Sequence, residues 1–216
     1  MSTRPLRADA ERNRRKLLDA AAELFARKGL SVGLDEIARH AGVGVGTAYR
    51  RFPDKEQLIE ALFDDRLEQI AALAERCATR DDAYAGLVEF IEGNVQLQSA
   101  DQGLKELIFG SPHAMARAQA ARGRIEPAVA SLVARAQAAG EIRADVAHTD
   151  IALVQFMLTA ISDITRNVDP EVWRRALRLV LDGLRTPDPG AMPGPPVPRE
   201  SLDAVIRGLS HGLHKS

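Results

Sequence analysis

Cysteine is almost missing from this chain: Cys77 stands alone among 216 residues. A single thiol cannot close an intrachain disulfide. A cysteine-rich zinc site is excluded with it, and nothing points to an oxidising compartment. Aromatic residues make up only 4%, and alternating β-branched runs are absent, which leaves a helical pattern nearly throughout. No apolar run reaches the ~18 residues of a membrane-spanning helix. Met1 to Lys16 carries basic residues with no apolar stretch behind them, so it does not read as a signal peptide. The histidines His40, His113, His148, His211 and His214 lack metal-ligand spacing, and no metal is expected. No cofactor is expected either. There is no glycine-rich phosphate loop, no Ser-His-Asp or Cys-His arrangement, and no paired acid and base. The expectation is a soluble, cytoplasmic protein that is not an enzyme and has no membrane partner.

What the chain does have is an ordinary globular mixture, 45% hydrophobic and 27% charged, long enough to bury a core without staples. Its net charge of −1 hides an asymmetry. Residues 1–60 hold 12 Lys+Arg against 9 Asp+Glu, and residues 61–216 hold 17 against 21. A basic N-terminal piece on a mildly acidic body fits a polyanion at one end. A solvated arm would show the same charge.

The spacing of apolar residues predicts helices from end to end. The first runs from about Asp9 to Lys28, with Leu17, Ala21, Leu24 and Phe25 on one face and Gly29 past its end. Two short helices follow, Leu34 to His40 and Val45 to Arg51, separated by Ala41-Gly42-Val43 and stopped by Pro53. Asp54 caps a long helix, with Gln57 in the capping-box position and a stripe of Leu58, Leu62, Ile70, Leu73 and Cys77. Further helices are expected at Asp82 to Gln98, Gly103 to Phe109 and Pro112 to Arg122, the last capped by Ser111. Gly123 is expected to interrupt, with Arg124 to Ala139 following. Thr149 is expected to cap Asp150 to Asp163, and Glu171 to Leu184 is the last long helix. Thr186 to Pro198 holds six prolines and two glycines, too many for helix or strand. The organisation expected is a basic arm at 1–11, a small helical domain at 12–64, a larger one at 65–185, a linker at 186–200 and a tail at 201–216. In that tail Ser201 is a candidate cap for a short helix, Leu202 to Leu209.

The informative stretch is Gly33 to Phe52. Two short helices joined by a tight turn are the grammar of a helix-turn-helix, whose second helix enters the major groove of DNA. Ile37, Ala38, Val43 and Phe52 serve its core. Val45, Gly46, Thr47, Tyr49 and Arg50 are left for the groove, with Gly44 at the cap. Gly46 lets the backbone approach a phosphate without a Cβ. Thr47 and Tyr49 offer hydroxyls, Arg50 a fork matched to guanine, and Val45 a surface for a thymine methyl. Lys55, in the first turn of the next helix, suits another phosphate. Two readings stay open here: Tyr49 as a half-buried core aromatic, and Arg50 as one more phosphate ligand.

These residues resemble the TetR family of bacterial transcriptional regulators over about residues 12–64. The resemblance is carried by Leu17-Leu18-Asp19-Ala20-Ala21, Phe25, Gly29-Leu30, Asp35-Glu36-Ile37-Ala38, Ala41-Gly42-Val43, Gly46-Thr47-Ala48-Tyr49 and Phe52 to Leu58. Two positions depart from the family pattern: Gly33 and Gly44 replace the usual Ser or Thr helix caps. Glycine is only a few tenths of a kcal/mol worse as a cap, so the fold stands, but a hydroxyl able to touch phosphate is gone from Gly44.

The resemblance implies an all-α, two-domain homodimer that binds double-stranded operator DNA, most simply as a repressor, and a helical body that takes a small-molecule effector. Release would come from a changed spacing of the two recognition helices, coupled through the helix that starts after Asp54. Polar residues interrupting apolar faces make the effector candidates: Asn94, Gln98, His113 and Gln155, near Phe90, Phe109, Met115 and Phe156. A lone polar residue of this kind is more often a satisfied hydrogen-bonder than a ligand contact, and that reading stays open for each. Leu153 and Met157, with Trp173, Leu177, Val180, Leu181 and Leu184, are the expected dimer stripes, although packing inside one subunit produces the same pattern. Three other readings remain: an effector-independent DNA-binding regulator or activator, an enzyme working in the helical cavity, and a protein–protein adaptor using the proline-rich tail.

Overall fold

The first helix, α1, spans Arg4–Lys28 and ends in a short 3-10 turn, Gly29–Ser31. Next come α2 (Leu34–His40), α3 (Val45–Arg51), α4 (Lys55–Ala78), α5 (Ala83–Ser99), α6 (Pro112–Ala138), α7 (His148–Thr165) and α8 (Val172–Leu184). This computed structural model describes residues 4–99, 112–185, 190 and 192–201, the side chains of 4–7, 99 and 112–115 excepted. Among them there is no β-strand, and the protein is all-α. The predicted short helix Gly103 to Phe109, its neighbour Ser111 and the predicted helix from Leu202 lie outside the described residues. Glycine-capped α2 and α3 have the bounds the sequence predicts. The basic arm expected at 1–11 is helical from Arg4, because Pro5 falls in the first turn, where its missing N–H has no helical partner to lose.

The described residues form two units, one of residues 4–66 and 112–114 and the other of residues 67–99 and those from Met115 on, so α4 and α6 each have residues in both. The first unit is a single apolar cluster. Leu17, Leu18, Ala21, Leu24 and Phe25 of α1 meet Leu34, Ile37 and Ala38 of α2, Ala48 of α3, Phe52, and Leu58, Ile59 and Leu62 of α4. The turn between α2 and α3 is fixed by Gly42, whose φ of 64° is left-handed. That conformation aims the Val43 N–H at the Ala38 carbonyl (2.9 Å) and the Gly42 N–H at that of Arg39 (3.2 Å). Buried Val43 then packs under the turn. At the start of α4, Asp54 Oδ1 accepts from the Gln57 N–H at 2.8 Å, as the capping pattern requires.

The second unit packs Ile70, Leu73 and Cys77 of α4 against Leu87, Phe90, Ile91 and Val95 of α5, Val129, Leu132 and Val133 of α6, Ile151 and Leu158 of α7, and Trp173, Leu177, Leu181 and Leu184 of α8. Arg135 closes the end of α4 by donating to the carbonyls of Ala78 (2.7 Å), Arg80 and Asp81 (3.0 Å), which have no partner within the helix. Gln137 Nε2 holds the α6–α7 loop by donating to the carbonyls of Arg143 and Val146.

Two expectations about α6 and α7 fail. Gly123 does not interrupt: α6 is continuous from Pro112 through Gly123 and Pro127 to Ala138. Both breakers are exposed, so water can take the Gly123 carbonyl that Pro127 cannot bond. Next to it Arg124 pins the helix to α4, bidentate to Glu68 (2.6 and 3.1 Å) and to Glu75 (2.7 and 2.9 Å). Thr149 does not cap α7. Ala147 precedes the helix, Asp150 Oδ2 accepts from the Ala147 N–H at 2.8 Å, and Thr149 is buried. In the proline-rich stretch, residues 192–198 are neither helix nor strand. They are nonetheless tied down: Arg143 Nη2 donates to the Gly190 carbonyl at 2.7 Å, and Arg199 pairs with Glu126 at 3.2 Å.

Candidate functional site

Seven residues make α3, and only Ala48 among them is buried. Residues at i, i+1, i+4 and i+5 share one side of a helix, and here Val45, Gly46, Tyr49 and Arg50 are all exposed. This is the face the sequence leaves free. Tyr49, 46% exposed, is not a core aromatic. Its phenol donates to the carboxylate of Asp35 on α2, and that bond raises the phenol pKa above its ordinary value. Arg50 Nη2 donates to Thr47 Oγ1 at 3.1 Å, so the guanidinium lies back toward the start of α3. A Cβ built on Gly46 has no neighbour within 4 Å, so nothing inside the chain asks for glycine at that position.

Lys55 has a second role that sequence reasoning misses. Its ammonium donates to the Leu30 carbonyl at 2.7 Å and ties the start of α4 to the 3-10 turn. Two N–H groups of the ammonium stay available to a phosphate. Asp35 is legible in the sequence only as an acid at a helix start; its bond to Tyr49, fourteen residues away, has no local signal. α1 and α2 are joined by Lys28–Glu36 at 2.6 Å and Glu23–His40 at 2.8 Å. The Lys28 hydrogen bond holds the Glu36 carboxyl below its usual range.

In the second unit the effector candidates divide. Phe90 and Asn94 are buried on α5, and Gln98 Nε2 donates to Asn94 Oδ1 at 3.0 Å. Gln155 is buried on α7, with Nε2 directed to the Ile91 carbonyl at 3.4 Å and Oε1 unpaired. Phe156 is half-buried. Phe109 and the side chains of His113 and Met115 lie outside the described residues. Sequence reasoning misses Thr159, four positions after Gln155, which is buried and whose Oγ1 has no partner. A polar residue at i+4 from a candidate on an otherwise apolar helix is the signal that could have found it. Among the described residues no cluster of His, Cys, Asp and Glu can hold a metal ion. Burial pushes the Cys77 thiol pKa up, which keeps it protonated and inert.

The expected dimer stripe on α8 needs correction. Trp173 is 3% exposed, and Leu177, Leu181 and Leu184 are buried with it in the core of their own subunit. A side chain already surrounded by its own chain cannot supply a partner's contact. The apolar residues left outside belong to adjacent rows. On α7 these are Leu153, Met157, Ala160 and Ile164, spaced i, i+4, i+7, i+11, with Ile164 81% exposed. On α8 the exposed one is Leu179, at 69%, flanked by half-buried Val172, Ala176 and Val180, of which Ala176 and Val180 also pack against the core.

Comparison with known proteins matches both units. Residues 17–62 fit the family model of bacterial regulatory proteins, tetR family. Residues 82–186 fit that of the transcriptional regulator SbtR-like C-terminal domain. The HTH-type transcriptional repressor KstR of Mycobacterium tuberculosis is 30% identical over 147 residues, which are 66% of this chain and 67% of KstR. The crystal structure of a TetR transcription regulatory protein from Mycobacterium vanbaalenii is 36% identical, with a TM-score of 0.67 over 84% of this chain and all of that one. LfrR from Mycobacterium smegmatis, a TetR-like regulator solved with proflavine, shares the fold at 21% identity, with a TM-score of 0.60 over 84% of this chain and 98% of LfrR.

Proposed function

This chain belongs to the TetR family of DNA-binding transcriptional regulators and is not an enzyme, and on that premise we propose that it is a cytoplasmic repressor released from its operator by a small, largely apolar molecule. The observation that carries the DNA contact is Gly46. Glycine is the second-worst residue for a helix, and this one sits in the seven-residue α3 with open space around it. Its usefulness therefore lies outside the chain, where a phosphate backbone comes close. Arg50 reads a base from the exposed side of α3, while Tyr49 and the free N–H groups of Lys55 hold phosphates. Tyr49 exchanges its bond to Asp35 for one to a phosphate oxygen.

The protein acts as a homodimer. The exposed rows of α7 and α8 are the partner surface, since apolar rows this long rarely face water in a monomer. Pairing sets two α3 helices at half-sites about 34–36 Å apart. Repression follows KstR, a repressor similar to this chain over two thirds of its length. Effector capacity is supported by the unpaired buried oxygens of the second unit and by the proflavine held by LfrR on the same fold. Coupling runs through α4, whose residues belong to both units.

The test is retention of promoter fragments from the flanking genes in a gel shift, with and without an organic extract of the cells. Retention that the extract abolishes is the expected result. Binding that no extract changes refutes effector control, and failure to bind any flanking fragment refutes local repression.

A further inference from the structure

Gln155 and Thr159 lie one turn apart on the same side of α7, 5% and 6% exposed. The Gln155 amide is oriented by its Nε2, which donates to the Ile91 carbonyl of α5, leaving Oε1 as an acceptor with no donor. Thr159 Oγ1 is equally alone. A helical threonine can give its proton to the carbonyl four residues back, and Thr165 in the same helix does so, to Ile161 at 2.9 Å. Thr159 does not. Unpaired buried oxygens cost a fold stability and are rare in native proteins. Two of them one turn apart are matched to a single incoming hydrogen-bonding group. The other such oxygen of this unit, Thr149 Oγ1, lies six residues before Gln155 and ten before Thr159, about 9 and 15 Å along the helix, too far to share one small head group with both.

The surroundings restrict what that group is. Ile91 and Leu158 are apolar, and the nearby Asn94 oxygen is already taken by Gln98. The buried polar residues of this unit are Asn94, Thr149, Gln155, Thr159 and Ser162, so no ionised side chain is buried among the described residues. A charged head group would be desolvated there without a counterion.

Resting on the effector reading above, we infer that Gln155 Oε1 and Thr159 Oγ1 bind the polar end of the effector, and that this effector is an uncharged, largely apolar alcohol or phenol. Its hydroxyl donates to Gln155 Oε1 and accepts from the Thr159 hydroxyl, which satisfies both oxygens with one group.

The experiment uses the full chain and four matched probes, the primary alcohol, methyl ether, carboxylate and amine of straight chains from six to twelve carbons. Melting temperature and fluorescence of Trp173, the one tryptophan, report binding. The alcohols are expected to raise the melting temperature by about 2 °C or more at saturation, and the other heads to do little. Thr159→Val, of the same shape, is expected to melt higher than the parent without probe and to bind the alcohol about tenfold more weakly. Gln155→Leu should lose the preference for alcohol over ether. Tighter binding of carboxylate or amine overturns the uncharged class while leaving effector control intact. No response to any probe overturns the class as well, and operator release by whole-cell extract, run beside it, then shows whether effector control survives. A lower melting temperature for Thr159→Val means the hydroxyl is satisfied inside the fold by trapped water, and the site falls.

Discussion

Replacing Gly46 by alanine should make the protein more stable and a worse DNA binder. In a helix interior, Gly→Ala gains up to about 1 kcal/mol through propensity, and Gly46 is the second residue of α3, so about 0.5–1 kcal/mol is the fair range. No steric term opposes it, because the new Cβ has no neighbour within 4 Å. Spread over a unit of this size, the gain raises its melting temperature by roughly 2–8 °C. On DNA the sign reverses. The methyl occupies the space a phosphate would use, and losing one charged hydrogen bond costs about 1.5–3 kcal/mol in each subunit. With both subunits of a dimer affected, operator affinity should fall at least about a hundredfold. Calorimetry of the free protein and fluorescence anisotropy with a labelled operator read the two effects separately. Higher stability with unchanged affinity would refute the close approach, and the glycine would be an accident of sequence.

The remaining predictions separate side chains that look alike in the sequence. Leu179→Glu with Ile164→Glu should give monomers that melt near the parent temperature, whereas Leu177→Glu, which buries a charge in the subunit core, should lose about 3 kcal/mol or more in denaturant titration. Gly86→Ala should behave oppositely to Gly46→Ala. Its Cβ would stand 2.8 Å from the Cys77 carbonyl oxygen and 2.9 Å from Leu132 Cδ2, an overpacking worth about 1–3 kcal/mol in chemical denaturation. Arg50→Ala should cost ~1–3 kcal/mol on the preferred operator and flatten discrimination at one base pair per half-site. Lys55→Ala should weaken all sequences alike and lower the salt slope by ~1 for each phosphate the side chain neutralises; binding to single-base operator variants at two salt concentrations distinguishes the two roles.

The parts of the fold that are legible in the sequence are those fixed by near neighbours. The α2–α3 pair follows from Gly33, Gly42, Gly44 and Pro53, each acting within a few residues, and the bounds agree to the residue. Where a distant partner decides, the local rule fails. Gly123 reads as a break, yet a propensity cost of ~1 kcal/mol is outweighed by the downstream core residues Val129, Leu132 and Val133 and by Arg124 reaching back to Glu68 and Glu75. Thr149 reads as a cap because hydroxyl residues cap helices, but Asp150 reaches the Ala147 N–H instead. The site divides the same way. Exposure of Val45, Gly46, Tyr49 and Arg50 follows from helical spacing, while the Asp35–Tyr49 and Leu30–Lys55 bonds span 14 and 25 residues and have no sequence signature.

The α8 stripe shows why periodicity alone cannot tell a core from an interface. Trp173, Leu177, Leu181 and Leu184 make a row that any partner could cover, and their own chain covers it. The distinguishing signal is the width of the apolar arc. Exposed Leu179 and half-buried Val172 extend it beyond the core row, and a helix apolar over so wide an arc suits a second surface. α7 carries this further. At 100° per residue, Gln155 and Thr159 stand roughly opposite Leu153, Met157, Ala160 and Ile164. One helix thus presents the proposed ligand contact on one side and the proposed partner contact on the other. An effector that shifted α7 on filling the proposed site would be felt at the proposed dimer surface, because well-packed helices do not deform independently on their two faces. The arrangement gives the effector a route to half-site spacing that starts at two side chains.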